Sequence, residues 1–277
     1  MKKILIIAAF TAFVFHGKTQ EGPDQNRKIQ GGLTLSTGFN TMSTQTNLIE
    51  SRGAGFDFSI GVLGDYNLNN NIAITSGIEF STFRFGYNLN ENFQSMGPVF
   101  VNYLDKEILR KNNADNIDGM FRVDERINRT MYLTIPTLIK FQTNYLGYMR
   151  FFTRFGLWNS ILIRNRVDFT GAEVVNIGEL KEGELLDMRS PRDLSLYRGS
   201  VGITVGGEWN FAGSTSLVAE LGYHFGFTDV HRSGSLFGDD DRNFSMYQFE
   251  DAGFNDKLYR SASSTPSQFS LRITVIF

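Results

Sequence analysis

Three groups of residues in this chain are of types that do chemistry. The first is His224, followed by Asp229 and His231. A histidine beside a carboxylate can orient a water or a serine as a general base. The bland alternative is a hydrogen-bonded histidine next to a solvated loop pair. The second group is Asp239-Asp240-Asp241-Arg242-Asn243-Phe244, followed by Glu250. Counted from Asp239, the oxygen-bearing side chains of Asp239, Asp241, Asn243 and Glu250 fall at positions 1, 3, 5 and 12 of a calcium loop. Phe244 stands where that loop turns sharply on a glycine, and no helix-like flanks are evident, which favours an acidic, solvated loop tip. The third group is a set of charges dispersed along the chain: Asp57, Asp65, Glu79, Lys140, Arg150, Arg154, Glu208, Glu220 and Arg272. With no cysteine there is no disulfide scaffold, thiolate metal site or cysteine nucleophile. No phosphate-cradling glycine loop, zinc motif or serine elbow is present, so no cofactor is expected. A net charge of −2 lacks the electrostatic footprint of a nucleic-acid binder.

The elements that carry these residues alternate with a period of two, which marks strands with one apolar face. Eight such runs are legible: Gly32–Thr41, Phe56–Tyr66, Ile72–Thr82, Met131–Phe141, Met149–Ile161, Val201–Phe211, Leu217–Phe227 and Ser267–Phe277. Each is ten to thirteen residues long, close to the ~9–11 that cross a bilayer at a tilt. The spacers alternate between short polar turns (67–71, 142–148 and 212–216) and long connections (42–55, 83–130, 162–200 and 228–266). The expected fold is all-β: an eight-stranded antiparallel up-and-down transmembrane β-barrel with short periplasmic turns and long extracellular loops.

Volume and charge decide which face points outward. Fifteen of the eighteen aromatics in the runs share the apolar face, the exceptions being Tyr132, Phe152 and Trp158. Nine of the eleven glycines lie on the other face; only Gly64 and Gly207 do not. An eight-stranded barrel is only just wide enough for side chains to fill, so the rings must face lipid. All nine dispersed charges fall on the inner face. A lipid-facing Arg or Lys would cost roughly 2–4 kcal/mol at the midplane. Glu79, Lys140, Arg150, Arg154, Glu208, Glu220 and Arg272 are therefore expected to interlock and plug the lumen, because an unpaired buried charge is costly. The alternative is a narrow ion path lined by the same groups. Tyr66, Phe141, Trp209, Phe211 and Phe277 are expected to form the aromatic girdle beside the short turns. Phe39, Phe56, Phe80, Tyr223, Phe225, Phe227 and Phe269 are candidates for the girdle on the long-loop side.

Lys2 and Lys3 precede an apolar run from Ile4 to Phe15, with small residues at Gly17 and Thr19. That pattern reads as a signal peptide over residues 1–19, because the apolar stretch is too short to span a membrane as a helix. A short tail over residues 20–30 and a barrel domain over residues 31–277 follow.

The run Tyr132-Leu133-Thr134-Ile135-Pro136-Thr137-Leu138-Ile139-Lys140-Phe141 resembles a strand of the PorT-like outer-membrane β-barrel family of Bacteroidota, with Thr137 where that family usually has Leu. The ending Ser270-Leu271-Arg272-Ile273-Thr274-Val275-Ile276-Phe277 is similar to the terminal signal read by the barrel assembly machinery. The resemblance implies a Gram-negative outer-membrane location among lipid and lipopolysaccharide. It also implies a structural or partner-docking role with an envelope protein held through the long loops, linked to type IX secretion. A small passive pore, or a lipid-acting enzyme with a rim histidine, is the alternative. Pro136 interrupts a strand, where a bulge is expected. Calorimetric titration of the purified protein with calcium is expected to show no binding heat, with no difference on Asp239→Asn and Glu250→Gln substitution.

Overall fold

The computed structural model describes residues 27–45, 49–89, 103–105, 110–111, 120–176, 179–189, 194–212, 214–231, 246–248, 258–260 and 263–277. The expected signal peptide and the calcium candidates Asp239, Asp241, Asn243 and Glu250 lie outside the described residues. Eight long strands form the wall: β1 (Ile29–Thr44), β2 (Gly55–Asn67), β3 (Ile72–Leu89), β4 (Met120–Gln142), β5 (Met149–Asn176), β6 (Tyr197–Ala212), β7 (Thr215–Gly226) and β8 (Ser264–Ile276). Each pairs antiparallel with its sequence neighbours, and β1 pairs with β8. The sheet therefore closes on itself and removes the open edges that would otherwise expose unpaired backbone groups.

The short turns have local causes. Asn69 Oδ1 accepts hydrogen bonds from the backbone N–H groups of Asn71 and Ile72 at 2.9 and 2.7 Å, closing the turn between β2 and β3. Between β4 and β5, Gly147 adopts φ 67°, a left-handed conformation that a side chain disfavours.

Register sets the tilt. From Thr82 on β3, successive partners are Phe58, Thr37, Leu271, Leu221, Val205, Thr153, Phe141 and then Ile72, back on β3. One circuit thus descends ten residues along the same strand, the stagger that closing a barrel requires.

The alternation seen in sequence faces as expected. Leu33, Phe56, Ile60, Phe80, Ile139, Phe155, Ile203, Phe225, Phe269 and Ile273 are exposed on the outside. A continuous apolar exterior on this scale is the surface of a protein solvated by lipid. The inner face carries the glycines for a steric reason. A Cβ at any of Gly32, Gly38, Gly61, Gly77, Gly156, Gly202, Gly206, Gly222 or Gly226 would collide with an adjacent strand or its side chains. At Gly64 and Gly207, on the outside, it would meet nothing closer than 3.7 Å.

Two features depart from the sequence reading. The strands outrun the apolar segments, reaching 28 residues in β5, and the first begins at Ile29 inside the expected tail. Much of what reads as long loop is therefore wall. Strand Glu179–Arg189 folds back on β5, Ile49–Ser51 pairs with β3, and Tyr103–Asp105 pairs with β4. In this upper wall the inside–outside polarity reverses. On β3 the inward residues change from Thr75 and Glu79 to Phe83, Phe85 and Tyr87, while the outward ones change from Ile78 and Phe80 to Arg84 and Asn88. Phe83, Phe85, Tyr87, Phe121, Val123, Tyr132, Val167, Phe169, Met188, Leu194 and Val230 pack together as an apolar core inside the upper barrel. Lipid bathes the lower wall and water the upper one, so apolar residues move inward at the boundary.

The second departure is at Pro136. The β4–β5 register is unbroken there, with Pro136 opposite Trp158, and no bulge forms. Instead the β3–β4 ladder leaves out the residues between Ser76↔Thr137 and Glu79↔Thr134, and the Ser76 hydroxyl donates to the Pro136 carbonyl at 2.9 Å. A skipped pairing suits a residue that has no N–H to donate. The bulge in this region falls at Met131/Tyr132.

Gly38→Val is expected to destabilise the refolded barrel by at least ~3 kcal/mol, the upper range for overpacking, because the obstacle is backbone. Gly207→Val is expected to be tolerated. Urea unfolding in lipid vesicles, followed by heat-modifiable electrophoretic mobility, compares the two.

Candidate functional site

Eight of the nine inward charges form one connected cluster across the lumen. Lys140 Nζ donates to Asp65 Oδ2 at 2.7 Å and lies 3.5 Å from Glu208 Oε2. Arg150 Nε donates to Glu208 Oε2 at 2.8 Å, and Arg150 Nη2 donates to Gln30 Oε1 at 3.0 Å. Arg154 bridges Glu220 Oε2 at 2.6 Å and Asp65 Oδ2 at 3.3 Å. Arg272 bridges Glu220 Oε1 at 3.1 Å and Glu79 at 3.0 Å. Four cations meet four carboxylates, so the cluster is formally neutral. Lys140 and Glu208 are fully buried, with 0% side-chain exposure. In such surroundings a bridged pair is tolerable and an orphaned charge is not.

Aromatic groups fill the gaps. The Phe152 ring lies 4.8 Å from Lys140 Nζ and 4.7 Å from the Arg154 guanidinium, which explains one of the three inward aromatics. Below the cluster, the Tyr145 hydroxyl donates to Glu208 Oε1 at 2.7 Å, and the ring lies 4.8 Å from the Arg150 guanidinium. Tyr145 thus lids the short-turn end. Above the cluster, Arg198 lies 4.3 Å from the Phe83 ring and 4.5 Å from the Tyr132 ring. Asp57, the ninth inward charge, accepts a hydrogen bond from Asn40 Nδ2 and makes no ion pair among the described residues.

Between cluster and apolar core is a polar cavity of about 30 Å³, lined by Asp57, Glu79, Trp158, Arg198, His224, Ser270 and Arg272 among others. That is space for one or two waters, each needing roughly 10–15 Å³.

The candidate catalytic residues are dispersed. His224 Nε2 is 2.9 Å from Ser270 Oγ, and the Trp158 ring stands edge-on to its imidazole at 4.1 Å. Asp229 Oδ1 instead accepts the backbone N–H groups of His231 and Ser264 at 2.9 and 3.0 Å, shaping the chain after β7. His231 Nε2 is 3.0 Å from the Tyr87 hydroxyl, inside the upper core. Burial pushes the His231 imidazole down to about 3, far below the near-neutral value that suits a general base. No ion pair or hydrogen bond joins His224 to Asp229 among the described residues.

All seven residues expected to interlock stand in the one cluster. Sequence reading omitted Asp65, Gln30 and Tyr145 from it, and Arg198 above it. Asp65 carried a usable signal, since it lies on the inner face of its run. Tyr145 and Arg198 carried none, being in a turn and beyond a run's edge. Tyr66, Phe141, Trp209 and Phe277 are exposed on the outer wall, and Phe211 is half-buried with its ring 6.4 Å from that of Trp209.

The family described as outer membrane protein beta-barrel domain matches residues 19–232. No curated protein sequence matches the chain. Among solved structures, the chain is similar to Ail, the attachment invasion locus protein of Yersinia pestis, at 8% identity and TM-score 0.36, covering 91% of this chain and 100% of that one. It is also similar to outer membrane protease OmpT from Escherichia coli, at 9% identity and TM-score 0.37, covering 94% and 99%. A third is Neisserial surface protein A, at 9% identity and TM-score 0.33, covering 91% and 99%. Likenesses at this level carry no argument about role.

Glu220→Gln removes a carboxylate shared by Arg154 and Arg272, and is expected to lower unfolding stability by ~3–5 kcal/mol, as for other broken buried pairs. Glu79→Gln, which leaves Arg272 still paired with Glu220, is expected to cost less. Guanidinium titration of both variants in vesicles measures the order.

Proposed function

We propose that this chain, which belongs to the outer membrane protein beta-barrel domain family, is a non-enzymatic, non-conducting barrel that docks a partner through its upper wall. The observation that carries this reading is the occupied lumen. Among the described residues, the Tyr145 lid, the neutral charge cluster and the apolar core lie one above another, with a water-sized cavity between cluster and core. A solid interior serves to hold the wall rigid, and rigid scaffolds carry function on the segments they present.

The wall offers such a segment. Strand Glu179–Arg189 stands against the upper part of β5 and presents Lys181, Glu182, Glu184 and Leu186 to solvent. The resemblance of Tyr132–Phe141 to the PorT-like strand directs the reading to a protein-secretion assembly of type IX in Bacteroidota, reached by export through residues 1–19.

Planar-bilayer recording of the purified barrel is expected to show no steady conductance, and a stable open level would sink the reading. Affinity purification from native membranes is expected to recover a stoichiometric envelope protein. Replacing Glu182 and Glu184 with Lys is expected to reduce that recovery several-fold while leaving heat-modifiable mobility unchanged.

A further inference from the structure

Three arginines stand together on the outer wall where the apolar band ends. Apolar outward residues of β3 end at Phe80, and the next outward charge is Arg84. On β4 they end at Met131, next to Arg129; on β5 they end at Ile163, next to Arg164. Arg84 and Arg129 are direct cross-strand partners. Arg164 is paired with Met131, two positions along β4 from Arg129. The stagger of the barrel makes each hydrogen-bonded step from β3 through β4 to β5 climb away from the membrane. Stepping back along β5 from Arg166, the partner of Arg129, to Arg164 reverses that climb. The three side chains therefore leave the wall at similar heights.

Like charges directly opposite one another destabilise paired strands unless something neutralises them. Arg129 is partly neutralised, by Asp168 at 2.6 Å and Asp187 at 3.7 Å. Arg84 and Arg164 are exposed and make no ion pair or side-chain hydrogen bond among the described residues. Nearby Arg52, farther from the apolar band, is held by Glu125 at 3.1 Å. The remaining strands leave the band through Thr41, Ala54, Tyr197, Phe227 and Ser267, none of them charged. Among the described residues, positive charge at this upper edge of the apolar band is thus confined to β3–β5, and the acids of that sector stand higher.

We propose that Arg84, Arg129 and Arg164 bind a phosphate of an outer-leaflet glycolipid of the lipopolysaccharide class. Guanidinium forks match phosphate oxygens with paired, charge-assisted hydrogen bonds. Cross-strand and diagonal neighbours sit about 5 and 7–8 Å apart at the backbone, within reach of a common anion. Phe80, Met131 and Ile163, just below, are placed to receive acyl chains. A lipid head is the occupant because the arginines stand at the upper margin of the apolar band, where headgroup phosphates lie. A soluble anion has no reason to prefer that height.

The test titrates the full barrel in detergent micelles with diphosphoryl lipid A, with the same lipid stripped of phosphate, and with inorganic phosphate, read by native mass spectrometry. Wild-type protein is expected to bind the diphosphoryl lipid at least tenfold more tightly than does an Arg84→Gln, Arg164→Gln double variant. The stripped lipid is expected to bind both proteins at the weaker level, and millimolar phosphate to displace nothing. Equal affinity in the two proteins, or for the two lipids, would overturn the proposal. So would displacement by inorganic phosphate, which would mark a site for soluble anions. Heat-modifiable mobility checks folding, and if the double variant fails it, Arg164→Gln alone is read instead, with an expected loss of about threefold.

Discussion

The interior of an eight-stranded ring is too narrow to stay empty and too narrow to hold much, and the rest of this structure depends on that constraint. Each residue on the inner face must either vanish, as the glycines do, or find a partner across a few ångströms. Gly38 and Gly156 sit where neighbouring backbone leaves no room for a Cβ. The charged side chains that enter the lower lumen arrive as four cations and four carboxylates in one bridged cluster. Desolvation sets that balance, since a lone charge in such surroundings would cost more than a small barrel has to spare.

The same constraint explains the change of chemistry along the axis. In the lower wall lipid already solvates the apolar residues outside, so the polar ones go in. Above the band water takes over outside, and the alternation continues with its polarity reversed: Phe83, Phe85 and Tyr87 turn inward and Arg84 outward. The barrel thus has a polar core below and an apolar one above. Arg198, between the rings of Phe83 and Tyr132, stands at the join. Among the described residues the lumen is thus filled by charge below and by rings above.

Much of this was legible from period-two alternation. The eight runs, their outward faces, the inward set of nine charges and the three inward aromatics all follow from parity, which a strand preserves along its length. The extended wall is not legible from that alternation, because beyond Thr82, Met131 and Ile163 the apolar residues turn inward. Pro136 predicts a bulge from sequence, yet its missing N–H is absorbed by a skipped pairing instead. His224 and Asp229 read as neighbours in sequence, yet the first turns into the lumen while the second caps backbone.

Composition and spacing by themselves determined the class, the strand number, the direction each face points and the need for inward charges to be matched, because each depends only on local parity and on the cost of charge in lipid. Only the tertiary structure decided which charge meets which. Arg272 reaches Glu79 across 193 residues of chain and Arg150 reaches Gln30 across 120, contacts that depend on the ten-residue stagger of the closed ring. That stagger is a property of the whole circuit of strands, and no one segment contains it.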